Sequence, residues 1–252
     1  MSGHSKWHSI RRSKAIVDNK RGAVFTKIAR EITVAVRESG SGDPDVNFKL
    51  RTVLLKARAE NMPAENIKRA IEKGSGAAGA TAEEEITYEG YGPAGCAILV
   101  QALTDNRNRT ASEVRNAFTK GGGNLGESNS VGYLFERKGV IRIALEGKDA
   151  DEVMLSVIDA GADDVQGPNE DEELEVYTAF EDTRKVTEAL EKQGFKVLSS
   201  ETAMIPATNM ELEPGKTLQA LRLIERLEDL DDVQNVYTNL HISEEVAATL
   251  EG

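Results

Sequence analysis

Residues 140–200 read VIRIALEGKDADEVMLSVIDAGADDVQGPNEDEELEVYTAFEDTRKVTEALEKQGFKVLSS, and this stretch decides the fold. Val140–Leu145 is a short apolar run of strand type. A helical period follows, with Val153, Met154, Val157 and Ile158 inward and Gly161 as its stop. After a short strand near Val165, Leu174–Ala179 forms the next strand. A second helix turns Val186, Ala189 and Leu190 inward, closes at Gly194, and leads into strand Lys196–Ser200. The order is βαββαβ, the split βαβ arrangement of ferredoxin-like folds.

Working outward, residues 81–135 supply strands Ile86–Tyr91, Ala97–Leu103 and Val131–Glu136. Between them lies a helix with Thr110 and Glu113 as a capping box, Ala111, Val114 and Phe118 apolar, and Gly121 as its stop. Beyond residue 205 come a strand near Ala207–Leu212, a helix carrying Ala220, Leu223, Ile224 and Leu227, and a strand Val233–Ile242. That tail has too few elements for a core of its own. Residues 81–135 and 206–245 therefore pair as one discontinuous α/β domain, with 136–205 inserted as an acidic ferredoxin-like domain.

On the other side, Gly74–Ala80 is a linker by composition. Before it, Phe25, Ile28, Ile32 and Val36 make one helical stripe that ends at the Gly40-Ser41-Gly42-Asp43-Pro44 breaker. A second helix covers about 45–60, and a third begins near Pro63 with Ile67, Ala70 and Ile71 on one side. Residues 1–20 show no apolar period and read as an arm. The fold class is α+β: a basic arm and three-helix domain over 1–80, then two α/β domains, one ferredoxin-like and inserted into the other.

A chain of 252 residues buries enough apolar surface to fold without staples. The single cysteine, Cys96, excludes an intramolecular disulfide and any cysteine cage, which fits a reducing compartment. The sequence has no run of about 18 apolar residues and no apolar N-terminal stretch, so a soluble cytoplasmic protein with no membrane partner is expected. Monomer is the default.

The net charge of −12 is unevenly placed. Residues 1–79 hold 16 Lys/Arg against 8 Asp/Glu, and the remainder holds 15 against 35. A split this steep points to a polyanion partner for the basic end, against the plainer alternative of a solvated basic helix face.

Chemistry-bearing motifs are few. Gly74, Gly76 and Gly79 match a dinucleotide fingerprint but follow a helix. Gly90, Gly92 and Gly95 follow a strand, yet Pro93 intervenes and another strand comes next, so no helix N-terminus receives a phosphate. No P-loop occurs. Of the histidines, His4 and His8 lie in the arm and His241 is alone. Cys96 heads an apolar strand and reads as a buried inert thiol. The cluster Glu170, Asp171, Glu172, Glu173 and Glu175 is consecutive, without ligand spacing, and reads as a solvated turn. Neither catalysis nor a cofactor, metal or small-molecule substrate is expected.

The arm differs. Lys6, Trp7, Arg11, Arg12 and Lys14, with Lys20, Arg21 and Lys27 behind them, are the candidate nucleic-acid contacts. Cations displace counterions from phosphates, and an indole stacks on an unpaired base. Trp7 could equally fold back as an anchor on the helices, and its residue type leaves both open. Gly121-Gly122-Gly123-Asn124-Leu125-Gly126 is a loop permitting close backbone approach, either a plain helix stop and turn or a weaker phosphate contact.

Several blocks in order resemble the YebC family. They are Gly3-His4-Ser5-Lys6-Trp7, Lys20-Arg21-Gly22 with Phe25-Thr26-Lys27, Asn61-Met62-Pro63 with Asn66-Ile67, and Tyr88-Glu89-Gly90-Tyr91-Gly92-Pro93. Thr104-Asp105-Asn106 with Asn108-Arg109-Thr110, and Gly122-Gly123-Asn124-Leu125-Gly126, complete the set. One departure is Asn129, where the family tends to have Gly; Asn tolerates positive φ, so the turn is expected to survive. The resemblance implies a helical N-terminal domain with two α/β domains, and one of two functions. Bacterial members are described as DNA-binding transcriptional regulators. Mitochondrial relatives are described as translational activators, and some bacterial members are thought to assist ribosomes through difficult nascent sequences. No helix-turn-helix, zinc finger or basic zipper is evident in the sequence.

Overall fold

The structure, a computed structural model, describes residues 18–76, 83–243 and 246–248, with side chains from Gly22 onward. The arm residues Lys6, Trp7, Arg11, Arg12 and Lys14 lie outside the described residues.

Among the described residues three helices come first: α1 (Asp18–Ser39), α2 (Phe48–Ala59) and α3 (Ala64–Ser75). Ile28, Ile32 and Val36 of the α1 stripe are buried, as the period requires, and Phe25 is half-buried. Asn47 caps α2 by accepting from the Leu50 amide, while its own amide group donates to the carbonyls of Ala35 and Ser41. An ion pair of 2.7 Å between Lys56 and Glu31 ties α2 to α1. Gly74 sits inside α3, where a Cβ would come within 2.7 Å of the Thr33 carbonyl oxygen and 2.8 Å of Val36. It is therefore a close-packing glycine inside the helix and not the first residue of the linker expected from sequence.

Two four-stranded sheets follow. The first uses β1 (Glu84–Tyr91), β2 (Ala97–Thr104), β3 (Asn124–Leu125) and β8 (Val233–Thr238), in the order β3-β1-β2-β8. β1 and β8 both run antiparallel to β2. Helices α4 (Arg107–Lys120) and α7 (Pro214–Glu228) bury Val114, Phe118, Leu223 and Ile224 against Ile98, Val100 and Val236. The second sheet has the order β5-β6-β4-β7, from β4 (Phe135–Ala144), β5 (Asp164–Gln166), β6 (Glu173–Ala179) and β7 (Lys196–Pro206). Its core joins Ile141, Ile143, Leu174 and Val176 to Val153 and Val157 of α5 (Ala150–Asp159), and to Val186 and Leu190 of α6 (Thr183–Lys192). This is the ferredoxin-like βαββαβ unit, and the α+β class stands.

By contacts the chain forms two compact units. One comprises Met1–Lys27, Ala78–Glu136 and Ile205–Gly252; the other comprises Ile28–Ala77 and Arg137–Met204.

Local expectations fail where a residue has a second use. Val131–Glu136 and Val140–Leu145 are not separate strands, because a 3-10 turn at Gly132–Leu134 runs straight into the ten-residue β4. Gly139 allows this continuity: it faces Thr178 in the ladder, where a Cβ would collide with the hydroxyls of Thr178 and Thr183. The segment Ala207–Leu212 forms no strand, only a bridge from Met210 to Leu240, since β7 extends to Pro206 and Pro214 already opens α7. The strand expected to reach Ile242 ends at Thr238. The α4 cap is Asn106, which accepts from the Arg109 amide; Thr110 is buried inside the helix. Ile158 is 47% exposed and Leu155 69%, so α5 turns only Val153 and Val157 fully inward.

Candidate nucleic-acid interface

The basic N-terminal segment meets the described residues at α1. Lys20 and Arg21 occupy its first turn, and the side chain of Lys27 is the first of the predicted contacts to be described. Its ammonium donates to the Glu228 carbonyl oxygen at 2.6 Å, at the last residue of α7. A helix C-terminus concentrates unpaired carbonyls and partial negative charge, so a cation is stabilised there. Lys27 thus anchors the start of α1 to the C-terminus of α7. The side chains of the other seven sequence candidates lie outside the described residues.

Two family-like motifs prove to be built around carboxylates that the sequence did not single out. In the first, the side chain of Glu89 accepts three backbone N–H groups: Asn129 at 2.8 Å, Val131 at 2.8 Å and Gly132 at 2.6 Å. The Gly126 amide donates to the Glu89 carbonyl at 2.8 Å, and the Tyr91 hydroxyl donates to the Ser130 carbonyl at 2.8 Å. Together they fix the loop over 126–132. Asn129 adopts φ +67°, the left-handed turn expected where the family tends to have glycine. Gly90 packs beneath: a Cβ there would lie 2.7 Å from both the Phe118 ring and the Asn124 carbonyl oxygen. Immediately beyond the loop, Tyr133 is 75% exposed.

Partial burial pushes the Glu89 carboxyl upward, but the amides of Val131, Asn129 and Gly132 outweigh it and hold it below the usual carboxylate range. The folded state therefore favours the ionised form. Its stabilisation is complete above the unfolded carboxylate range and is lost as pH falls through the lower folded value. Glu89→Gln should lower stability at pH 7 by about 1–2 kcal/mol. Its melting temperature should also drop less than the wild type's between pH 6 and pH 3. Parallel melting curves for the two proteins across that range would contradict the assignment.

In the second motif, Asp232, just after α7, receives the β2–α4 turn. The Arg109 guanidinium donates to its Oδ2 at 2.7 Å and the Thr110 hydroxyl at 2.6 Å, with the Thr104 hydroxyl 3.1 Å away. Its backbone oxygen accepts from the Leu103 amide at 2.8 Å. Asp232 is 2% exposed. Hydrogen bonds to Asp232 and then to Asp105 raise the Arg109 guanidinium pKa further. Arg109 is thus engaged as a clamp although its side chain is 43% exposed, and Arg107 beside it pairs with Glu84 at 3.6 Å.

The remaining motifs read as structure. Gly92, Gly95 and Pro93 make a 3-10 turn between antiparallel strands. Burial pushes the Cys96 thiol up to about 11, against amide donation from Gly92 and Cys96 itself, so a thiolate is disfavoured near neutral pH. In the acidic turn, Asn169 Oδ1 accepts from the Asp171 and Glu173 amides, and Glu173 pairs with Arg142 at 3.3 Å. Among the described residues no group of three or more His, Cys, Asp or Glu could hold a metal ion. No helix among them is long and apolar enough to cross a membrane.

Comparison with known proteins agrees over nearly the whole length. Residues 5–77 match the family model for the TACO1/YebC protein N-terminal domain, and residues 83–240 match that for the TACO1/YebC second and third domain. A protein of Herpetosiphon aurantiacus called a probable transcriptional regulatory protein is 56% identical, covering 98% of this chain and 97% of that one. One from Roseiflexus castenholzii with the same description is also 56% identical, covering 98% of each chain. A crystal structure of a conserved hypothetical protein from Aquifex aeolicus is 45% identical, with TM-score 0.82 over 91% of this chain and 94% of that one. The chain belongs to the TACO1/YebC family.

Proposed function

We propose that this chain is a non-enzymatic regulator of gene expression that binds nucleic acid through its basic N-terminal segment, as a DNA-binding transcriptional regulator. The observation that carries the reading is the charge split: eight Lys/Arg against Asp18 alone in residues 1–30 of a chain with net charge −12. The description shared by its relatives supports the transcriptional form. The proposed contacts are Lys6, Trp7, Arg11, Arg12, Lys14, Lys20 and Arg21, with Lys27 at the start of α1 bound to the C-terminus of α7.

A second reading, a ribosome-bound translation factor contacting ribosomal RNA, is favoured by two features. The acidic remainder of the chain is repelled by a long duplex, and Trp7 suits an unpaired base. Trp7→Ala separates stacking from anchoring. If the indole stacks, affinity for a single-stranded probe should fall by about 1–3 kcal/mol while the melting temperature stays put. A lowered melting temperature with unchanged affinity would assign Trp7 to the fold. Titrating the wild-type chain against duplex DNA and against a ribosomal RNA hairpin tests the proposal itself, and failure to bind either would overturn it.

A further inference from the structure

We infer that the outer face of α4 and α7 is a second contact for the nucleic-acid phosphate backbone, separate from the arm; this rests on the nucleic-acid reading above. The two helices lie antiparallel on one side of the first sheet. Arg109, at the start of α4, reaches Asp232 just past the end of α7. At the other end of α4, a Cβ on Gly121 would lie 2.6 Å from Leu223, and one on Gly122 would lie 2.6 Å from the Gln219 amide nitrogen. Their inward faces carry Val114, Ala117, Phe118, Ala220, Leu223 and Ile224 into the core. The charged residues that remain exposed within the two helices are cationic, with Asp105, Glu213 and Asp229 exposed at their ends.

Arg115 and Lys120 of α4, with Lys216, Arg222 and Arg226 of α7, are all exposed. None of the five is ion-paired to a described residue; Lys216 only donates to Gln219 at 3.4 Å. The acidic residues of the same helices, Glu113, Glu225 and Glu228, are half-buried or buried. The opposite sign prevails on β1, where Glu84 and Glu85 are exposed. Arg222 and Arg226, four residues apart, share one side of α7 and are about 6 Å apart along its axis at 1.5 Å per residue. A duplex carries a charge roughly every 1.7 Å of its axis, so several phosphates fall within that length. Unpaired surface cations in an otherwise acidic region gain from counterion release, whereas an isolated basic face would only be hydrated. Gly121 and Gly122 let the end of α4 pack closely against Leu223 and Gln219 of α7.

Phosphodiester recognition of this kind does not distinguish DNA from RNA, so both are tested. Binding of the full chain to a 20-base-pair duplex and to a ribosomal RNA hairpin is measured across salt, with Arg115→Gln, Lys120→Gln, Arg222→Gln and Arg226→Gln combined. The log–log slope should become shallower by about 3, at roughly 0.7–0.9 per lost phosphate contact, with the melting temperature unchanged. The loss should add to that of an arm variant. Should the fourfold variant fail to fold, Arg222→Gln with Arg226→Gln alone should flatten the slope by about 1.5. An unchanged slope, alongside an arm variant that does flatten it, overturns the inference and leaves the arm reading standing. An unchanged slope with a shift in molecular mass would reassign the face to self-association. A wild type that binds neither probe would remove the nucleic-acid reading and this face with it.

Discussion

Asp232→Ala should lower the stability of the chain by about 3 kcal/mol, the largest effect expected from any single polar side chain described above. The carboxylate is almost fully buried and accepts a guanidinium bond and a short hydroxyl bond on one oxygen. Charge-assisted bonds of this kind are worth about 1.5–3 kcal/mol each, and their loss leaves the buried hydroxyls of Thr104 and Thr110 with weaker partners. For a chain of this size that is a fall in melting temperature of about 6–12 °C. Asp105→Ala provides the contrast. It removes an i,i+4 partner of the same Arg109, but that pair is solvent-exposed and should cost about 0.5 kcal/mol or less. Equal losses from the two variants would show that Arg109, and not the buried acceptor, organises the turn.

The second large effect concerns binding. With Lys6, Arg11, Arg12 and Lys14 replaced by alanine, the salt dependence of nucleic-acid binding should flatten by about 3 in log–log slope, at roughly 0.7–0.9 per lost contact. If wild-type and variant curves converge near 1 M salt, the variant binds on the order of 10³-fold more weakly at 0.1 M. The melting temperature should not move, because none of these residues belongs to a helical stripe or a strand alternation. An unchanged slope would mean that the arm makes no phosphate contacts.

The fold was legible because its signals are repetitive. The apolar run in Val140–Leu145 and the 3.6-residue spacing of Val186 and Leu190 report burial directly, and Val140, Ile141, Ile143, Leu145, Val186 and Leu190 are buried. Errors arose where one residue serves two purposes. Thr110 has the sequence context of a cap but is drawn into the helix interior by Asp232, a partner 122 positions away. Gly139 resembles a break yet provides clearance for two threonine hydroxyls. The carboxylate hubs were illegible for the same reason: Glu89 sits in an alternating strand, and Asp232 ends an acidic run, so neither spacing nor composition marks it. Only the positions of distant backbone amides and a distant arginine give these two groups their roles. The candidate arm was legible from charge alone, since sign asymmetry needs no tertiary partner to be read.

The most direct measurement is crosslinking of the protein to nucleic acid inside cells, with sequencing of what is attached and the four-alanine arm variant as control. Discrete promoter DNA should be recovered with the wild type and should disappear with the variant. Recovery of ribosomal RNA that depends on the arm would contradict the transcriptional reading and make the chain a translation factor. Recovery of nucleic acid that is indifferent to the arm would contradict the central claim that the basic N-terminal segment makes the contact.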